Sequence, residues 1–193
     1  GPIINMSTYK ELLELGDKEL LENKDYREAE RLYNKAMKLQ PIGIDAINAL
    51  IVCKKLMKTE VDDTLLSKAL KAIDKHPKHF LTLFNISLIY LERSDYSNAH
   101  EYLTRAYKIQ NNNQQLLYNL AFWKQELKDY KGAVELYDKI LEKDPNHHKA
   151  ITHIAICLHY QGETEEAAKR IRKCIEDGKP DAKLFVNMGI LLK

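Results

Sequence analysis

Residues 117–145 read LYNLAFWKQELKDYKGAVELYDKILEKDP, and the spacing inside that stretch decides the fold. Apolar and small residues recur every three or four positions on both sides of Lys128-Asp129-Tyr130-Lys131-Gly132, so two helices flank one turn. Ala133 opens the second helix, and Tyr137 and Ile140 extend its apolar stripe. Pro145 ends it, because proline has no N–H and a fixed φ.

Outward from this stretch the same pattern returns. Ala99, Ala133 and Ala167 lie 34 residues apart, each after a turn-like segment. Before the turns, Asn85, Asn119, His153 and Asn187 keep the same 34-residue period, and each is followed two positions later by a small residue: Ser87, Ala121, Ala155 and Gly189. After the turns, Leu103, Tyr137 and Ile171 form one large column, and Ala106, Ile140 and Cys174 form the next. Agreement of several columns at one period means stacked helical hairpins. Pro41 and Pro77 hold places matching Pro145.

These residues resemble the tetratricopeptide repeat family, whose unit is a helix, a tight turn and a second antiparallel helix. Leu120-Ala121, Ala133, Tyr137 and Pro145 fall on the family pattern, while Lys124 stands in place of its usual tyrosine. The first unit matches through Leu15-Gly16, Asp25-Tyr26, Ala29, Tyr33, Ala36 and Pro41, but Gly16 to Tyr26 is one residue too long, which predicts a distorted turn. The second unit is weakest, with Leu65 in the alanine position; only Ala69, Ala72 and Pro77 hold the frame. Ala29 to Ala99 is 70 residues, so two extra residues belong between the first unit and the third.

The expected organisation is an all-α, right-handed superhelical solenoid. Residues 1–6 read as a processing scar or N-terminal extension, since Gly1-Pro2 has the form of a protease-cleavage remnant. Residues 7–193 read as one domain of about five and a half repeats, at 7–41, 44–77, 80–112, 114–147, 148–180 and a half repeat at 181–193. That half repeat carries Leu184, Phe185, Met188, Gly189 and Leu192 with no second helix. A solenoid needs a polar terminal face, so either the natural chain continues or another copy covers this end.

Composition agrees. The chain is 45% hydrophobic and 30% charged with seven glycines and five prolines, which suits long helices joined by short turns. No stretch approaches the roughly 20 apolar residues of a membrane span. Cys53, Cys157 and Cys174 cannot all pair, which points to a reducing, cytoplasmic setting. Residues 1–76 carry 13 Lys/Arg and 13 Asp/Glu, and residues 77–193 carry 17 and 15, so neither part offers the basic stripe that nucleic acid requires. The run Lys169-Arg170 with Arg172-Lys173 reads as a solvated face.

Catalytic, metal and cofactor readings fail on spacing. His147 and His148 are adjacent, His76 and His79 flank Pro77, and His153 and His159 are six apart, off-face for a helical metal pair. No Gly-rich phosphate loop or serine elbow occurs, so an enzyme and a cofactor are not expected. Cys157 and Cys174 read as small core residues. Tyr26, Tyr96 and Tyr130 read as packing residues beside the turns, and Trp123 as packing between hairpins.

The resemblance implies that first helices line a concave wall, where a partner binds. The predicted groove comprises Phe84, Leu88, Tyr118, Phe122, Ile156 and Ile190, with Asn85, Asn119, His153 and Asn187 as its polar column. A second apolar stripe on a surface helix predicts something covering it. The asparagines offer both a carbonyl and an amide to an extended backbone, as matching residues do in relatives. A clamp for a chaperone's C-terminal carboxylate is not expected: the matching inner positions hold Leu13 and Asp17 in the first unit, Leu81 and Asn85 in the third and Tyr118 and Phe122 in the fourth, and the required cations are absent.

The expected function is a non-catalytic scaffold or adaptor that binds a peptide or helix of a protein partner within a larger assembly. The other reading is a structural subunit that self-associates or docks through its ends, by Phe185, Met188 and Leu192, with the groove filled by its own chain or a constant neighbour.

Overall fold

The computed structural model describes residues 6–176, which form ten α-helices and one π-helical turn. In order, these are α1 (Met6–Lys18), the π-helical turn (Glu19–Asn23), α2 (Tyr26–Leu39), α3 (Ile44–Leu56), α4 (Asp63–Lys75), α5 (Phe80–Glu92), α6 (Tyr96–Ile109), α7 (Gln114–Glu126), α8 (Tyr130–Lys143), α9 (His148–Tyr160) and α10 (Thr164–Glu176). The half repeat expected at 181–193 lies outside the described residues.

Each turn stops one helix and starts the next by the same local chemistry. In the third hairpin the N–H of Asp95 donates to the carbonyl of Tyr90 at 2.9 Å, and that of Ser94 donates to Leu91 at 3.0 Å. The fourth repeats this pair, from Asp129 to Lys124 at 2.8 Å and from Lys128 to Gln125 at 2.9 Å. Such paired bonds satisfy the last helical carbonyls and need a left-handed residue just past the helix end. Lys24, Lys58, Ser94, Lys128 and Gly162 supply it, with φ between 54° and 82°. The next residue then caps the second helix: Asp25, Asp95 and Asp129 accept the N–H groups of Glu28, Asn98 and Gly132 at 3.1, 3.3 and 3.1 Å.

Histidine and asparagine do the same at the first helices. His79 Nδ1 accepts from Thr82 N–H at 3.3 Å, Asn113 from Leu116 at 2.9 Å and His147 from Ala150 at 3.1 Å. Two of the histidines that failed as metal ligands are therefore helix caps.

The chain divides into two compact units, Gly1–Ile109 and Gln110–Lys193. In the first, α1, α3 and α5 lie side by side, and α2, α4 and α6 each pack against the helix before it. Its core runs through Ala29, Tyr33, Ala36, Ile47, Ile51, Leu83, Ile86, Leu103 and Ala106, all fully buried. Tyr33 reaches back across its hairpin, donating its hydroxyl to Asp17 at 2.6 Å. Gly16 makes room for that ring, since a Cβ there would lie 2.5 Å from Tyr33 Cε1.

Both irregularities of spacing have a physical form in this unit. The surplus residue between Gly16 and Tyr26 enters the π-helical turn, whose wider pitch takes one more residue. The closing bond accordingly spans one residue more, from Asp25 N–H to the carbonyl of Glu19 at 2.9 Å. The two surplus residues of the second hairpin lie between Lys58 and Leu65. Left-handed Lys58 and Ser94 are 36 apart where the other intervals are 34. Buried Leu65, Ala69, Ala72 and Ile73 repeat Ala29, Tyr33, Ala36 and Met37 with the whole shift already made. Arg93 pins the longer turn, donating to the Val61 carbonyl at 2.8 Å and to Asp63 at 2.7 Å.

In the second unit α7 and α9 form one layer, joined through Tyr118 and His153, and α8 and α10 the other, joined through Asp138 and Arg170. Ala121, Ala133, Tyr137, Ile154, Ala155, Ala167 and Ile171 are fully buried, and Cys157 and Cys174 join them as free thiols. Tyr137 donates to Gln125 at 3.0 Å, the counterpart of the Tyr33 bond. Of the turn-side tyrosines, Tyr26 and Tyr130 are half-buried, and Tyr130 stacks on Tyr160 at 5.4 Å, whereas Tyr96 is 48% exposed.

Candidate interaction surface

In the second unit, Tyr118 and Phe122 are one turn apart on α7 and both meet His153 of α9. The Tyr118 hydroxyl lies 3.0 Å from His153 Nε2. The Phe122 ring stands edge-on to the imidazole at 5.7 Å and 86°. Beneath, fully buried Tyr137 stacks flat against it at 5.5 Å and 11°. His153 is thus held on three sides by aromatic rings. Burial drives its pKa below the ordinary value, and the charge of Lys149, one turn earlier, adds to the effect. The imidazole is neutral at neutral pH, and the Tyr118 phenol, raised by burial, keeps its proton.

Phe122 keeps 40% of its surface exposed. Beside Tyr118, a cleft of about 480 Å³ is lined by Gln114, Gln115, Asn119, His147 and Lys149. Asn119 has no side-chain hydrogen bond among the described residues, so its amide is open to a visitor. Ile156 is half-buried. The unit therefore gathers Tyr118, Asn119, Phe122 and His153 around one surface that is apolar at one end and polar at the other.

The first unit treats its part of the expected groove differently. Phe84 is only 6% exposed and stacks on Phe80 at 5.8 Å. Asn85, 3% exposed, donates its amide to Asn48 Oδ1 at 2.9 Å; Asn48 in turn donates to Thr82 Oγ1 at 2.8 Å and to the Ile44 carbonyl at 3.0 Å. His79 Nδ1 lies 2.8 Å from the same Thr82 hydroxyl. The expectation that Phe84 and Asn85 face a partner is corrected: one is packed and the other's amide is engaged in fastening α5 to α3. Leu88 is half-buried, while Leu81 is 46% exposed. Asn187 and Ile190 of the groove, and Phe185, Met188 and Leu192 of the end surface, lie outside the described residues.

Two features escaped the sequence. Asn48 stands where Phe84 and Tyr118 stand in the later hairpins, so no recurring polar residue marked it as Asn85's partner. Tyr137 reads as an apolar column residue, although the histidine that replaces asparagine at position 153 is the one mark of a changed environment there. Among the described residues no three His, Cys, Asp or Glu side chains gather to hold a metal ion, and no helix is long and apolar enough to cross a membrane.

Comparison with known proteins follows the repeat. A family model described as tetratricopeptide repeat matches residues 124–184, and a second of the same description matches residues 82–113. Human protein O-mannosyl-transferase TMTC3 is 34% identical over 97 residues, which are 48% of this chain and 11% of that protein. The chain's matches span between 11% and 15% of the length of such curated relatives. Among solved structures, MamA superposes with a TM-score of 0.76 at 19% identity, covering 91% of this chain and 94% of that one. YrrB, described as a TPR protein with an unusual peptide-binding site, gives a TM-score of 0.75 at 15% identity, covering 92% and 90%. Both likenesses concern the fold, an all-α solenoid of helical hairpins.

Proposed function

We propose that this chain, which belongs to the tetratricopeptide repeat family, is a non-catalytic interaction scaffold whose α7–α9 surface receives a peptide or helical segment of a partner protein. The observation that carries this reading is Phe122: a large ring left 40% exposed, yet braced by His153 behind it. Such a ring offers an apolar contact whose orientation is already set, so little ordering entropy opposes binding. YrrB's described peptide-binding site, on a similar fold, supports the same class of role.

Magnitudes limit what Phe122 does alone. Full burial of such a side chain contributes roughly 1.5–3 kcal/mol, and most of this ring is already covered. Micromolar affinity requires about 8 kcal/mol. The partner therefore also engages the cleft beside Tyr118, where Asn119, Gln115 and Lys149 offer hydrogen bonds and a charge to a peptide backbone or side chain. Three free cysteines support a reducing, cytoplasmic setting, and a place within a larger assembly follows from the adaptor role. The transferase in TMTC3's name belongs to that protein, of which 11% is matched.

The test is partner capture with a tagged chain, comparing wild type with Phe122→Lys and Met188→Glu. Loss of the captured proteins with Phe122→Lys alone supports the α7–α9 surface. Loss with Met188→Glu alone replaces it with docking through the C-terminal end, and unchanged capture by a folded Phe122→Lys variant rejects it.

A further inference from the structure

The basic run on α10 borders a crevice on the opposite layer of the second unit. Between α8 and α10 lies a cavity of about 470 Å³ whose apolar lining is Leu141, Pro145, Ile151 and Cys174. Arg170 and Glu166 line its edge, and Arg170 pairs with Asp138 at 3.0 Å and with Glu166 at 3.7 Å. Lys169 and Lys173 also line it, one turn apart, exposed, and without an ion pair among the described residues. The crevice is apolar below, and at its mouth the three cations Lys169, Arg170 and Lys173 outnumber the two carboxylates Asp138 and Glu166.

The same place in the repeat is hollow in the first unit. There Met37 and Pro41 take the positions of Leu141 and Pro145, and Lys68 that of Arg170. Asn34 stands where Asp138 does, and among the described residues neither Lys68 nor Lys38, both at the rim, makes an ion pair, the nearest lining carboxylate being Asp62 of the adjoining cavity. Two crevices built on one plan, each rimmed by lysines that make no ion pair among the described residues, share a single electrostatic preference although the whole chain carries a net charge of only +2. Unpaired cations around an apolar floor favour an apolar anchor flanked by carboxylates, since each partner group then finds its complement.

We propose that the α8–α10 crevice is a second docking site, separate from the α7–α9 surface, for an acidic partner segment that inserts an apolar side chain. Leu141 and Ile151 receive the anchor, and Lys169 and Lys173 hold the flanking carboxylates.

Fluorescence anisotropy with the whole chain tests this. The probe is a labelled peptide with a central Leu-Phe pair flanked on both sides by glutamates; a control peptide has glycines in place of the pair. Wild type binds the first peptide, the second fails to bind, and added salt weakens the complex. The Lys169→Glu, Lys173→Glu double variant, altered only at exposed positions, loses about tenfold or more in affinity. Phe122→Lys binds as wild type does. The proposal is overturned if wild type does not bind, if the charge-reversed variant or the glycine peptide binds equally well, or if Phe122→Lys abolishes binding.

Discussion

The hydroxyl of Tyr118 and Nε2 of His153 lie 3.0 Å apart, one repeat plus one residue removed in sequence, and this contact ties α7 to α9. Because burial lowers the pKa of His153 from its ordinary 6.5, the folded state prefers the neutral ring. The unfolded chain then binds the proton more readily, so the contribution of His153 is complete above pH 6.5 and is lost as the pH falls below that value and through the lowered folded one. Urea unfolding between about pH 7 and pH 5 checks this. Wild type weakens towards the acid side more steeply than His153→Asn, and Lys149→Gln lessens the slope. Parallel slopes in all three proteins would falsify the assignment.

Lys128 occupies a left-handed turn position with φ 65°, where a side chain costs about 1 kcal/mol relative to glycine. Gly162 fills the same place in the next hairpin. Lys128 is exposed, so Lys128→Gly gives up no packing. Its expected effect is a gain of about 0.5–1 kcal/mol in unfolding free energy, read as a higher urea midpoint at constant slope. A lowered midpoint contradicts the turn's role.

The turns were legible before any coordinates because their chemistry is local: Asp129 caps the helix that begins beside it, and the period of Ala99, Ala133 and Ala167 counts hairpins directly. Even the π-helical turn left a trace, as one residue too many between Gly16 and Tyr26. The insertion after Lys58 was only bracketed, since Leu65 sits at the alanine position and no tyrosine marks the frame. The site was less legible than the fold. Whether Asn85 meets a visitor or its neighbour depends on which residue of α3 stands opposite, and Asn48 recurs nowhere. Phe84 and Phe122 sit in comparable apolar stripes, yet one is packed and the other open, a difference set by neighbouring layers rather than by either helix.

Asn48 and Asn85, 4% and 3% exposed, form a buried pair, and Asn48 also donates to the Thr82 hydroxyl. Asn48→Leu strands the Asn85 amide, while the Thr82 hydroxyl keeps His79, and costs about 1–3 kcal/mol. Asn85→Leu costs a similar amount. The double variant is destabilised by clearly less than the sum, because the second substitution removes a group the first had stranded. Strict additivity in chemical unfolding would show that the two side chains act independently.

Gly16 and Tyr33 pose the opposite problem, a contact too close for any added atom. The ring is fully buried, its hydroxyl is fixed to Asp17 at 2.6 Å, and a Cβ at position 16 would stand 2.5 Å from Cε1. Neither the ring nor the helix carrying Gly16 yields without breaking that bond, so Gly16→Ala costs about 1–3 kcal/mol through overpacking, despite alanine's better helix propensity. Leucine supplies the corresponding column in the third hairpin at Leu103, which suggests the compensating change. In Gly16→Ala, Tyr33→Leu the smaller side chain relieves the clash, and the double variant is less destabilised than the two single losses added together. If Gly16→Ala instead raises the thermal midpoint, helix propensity outweighs crowding here, and the close approach of α1 and α2 does not depend on glycine.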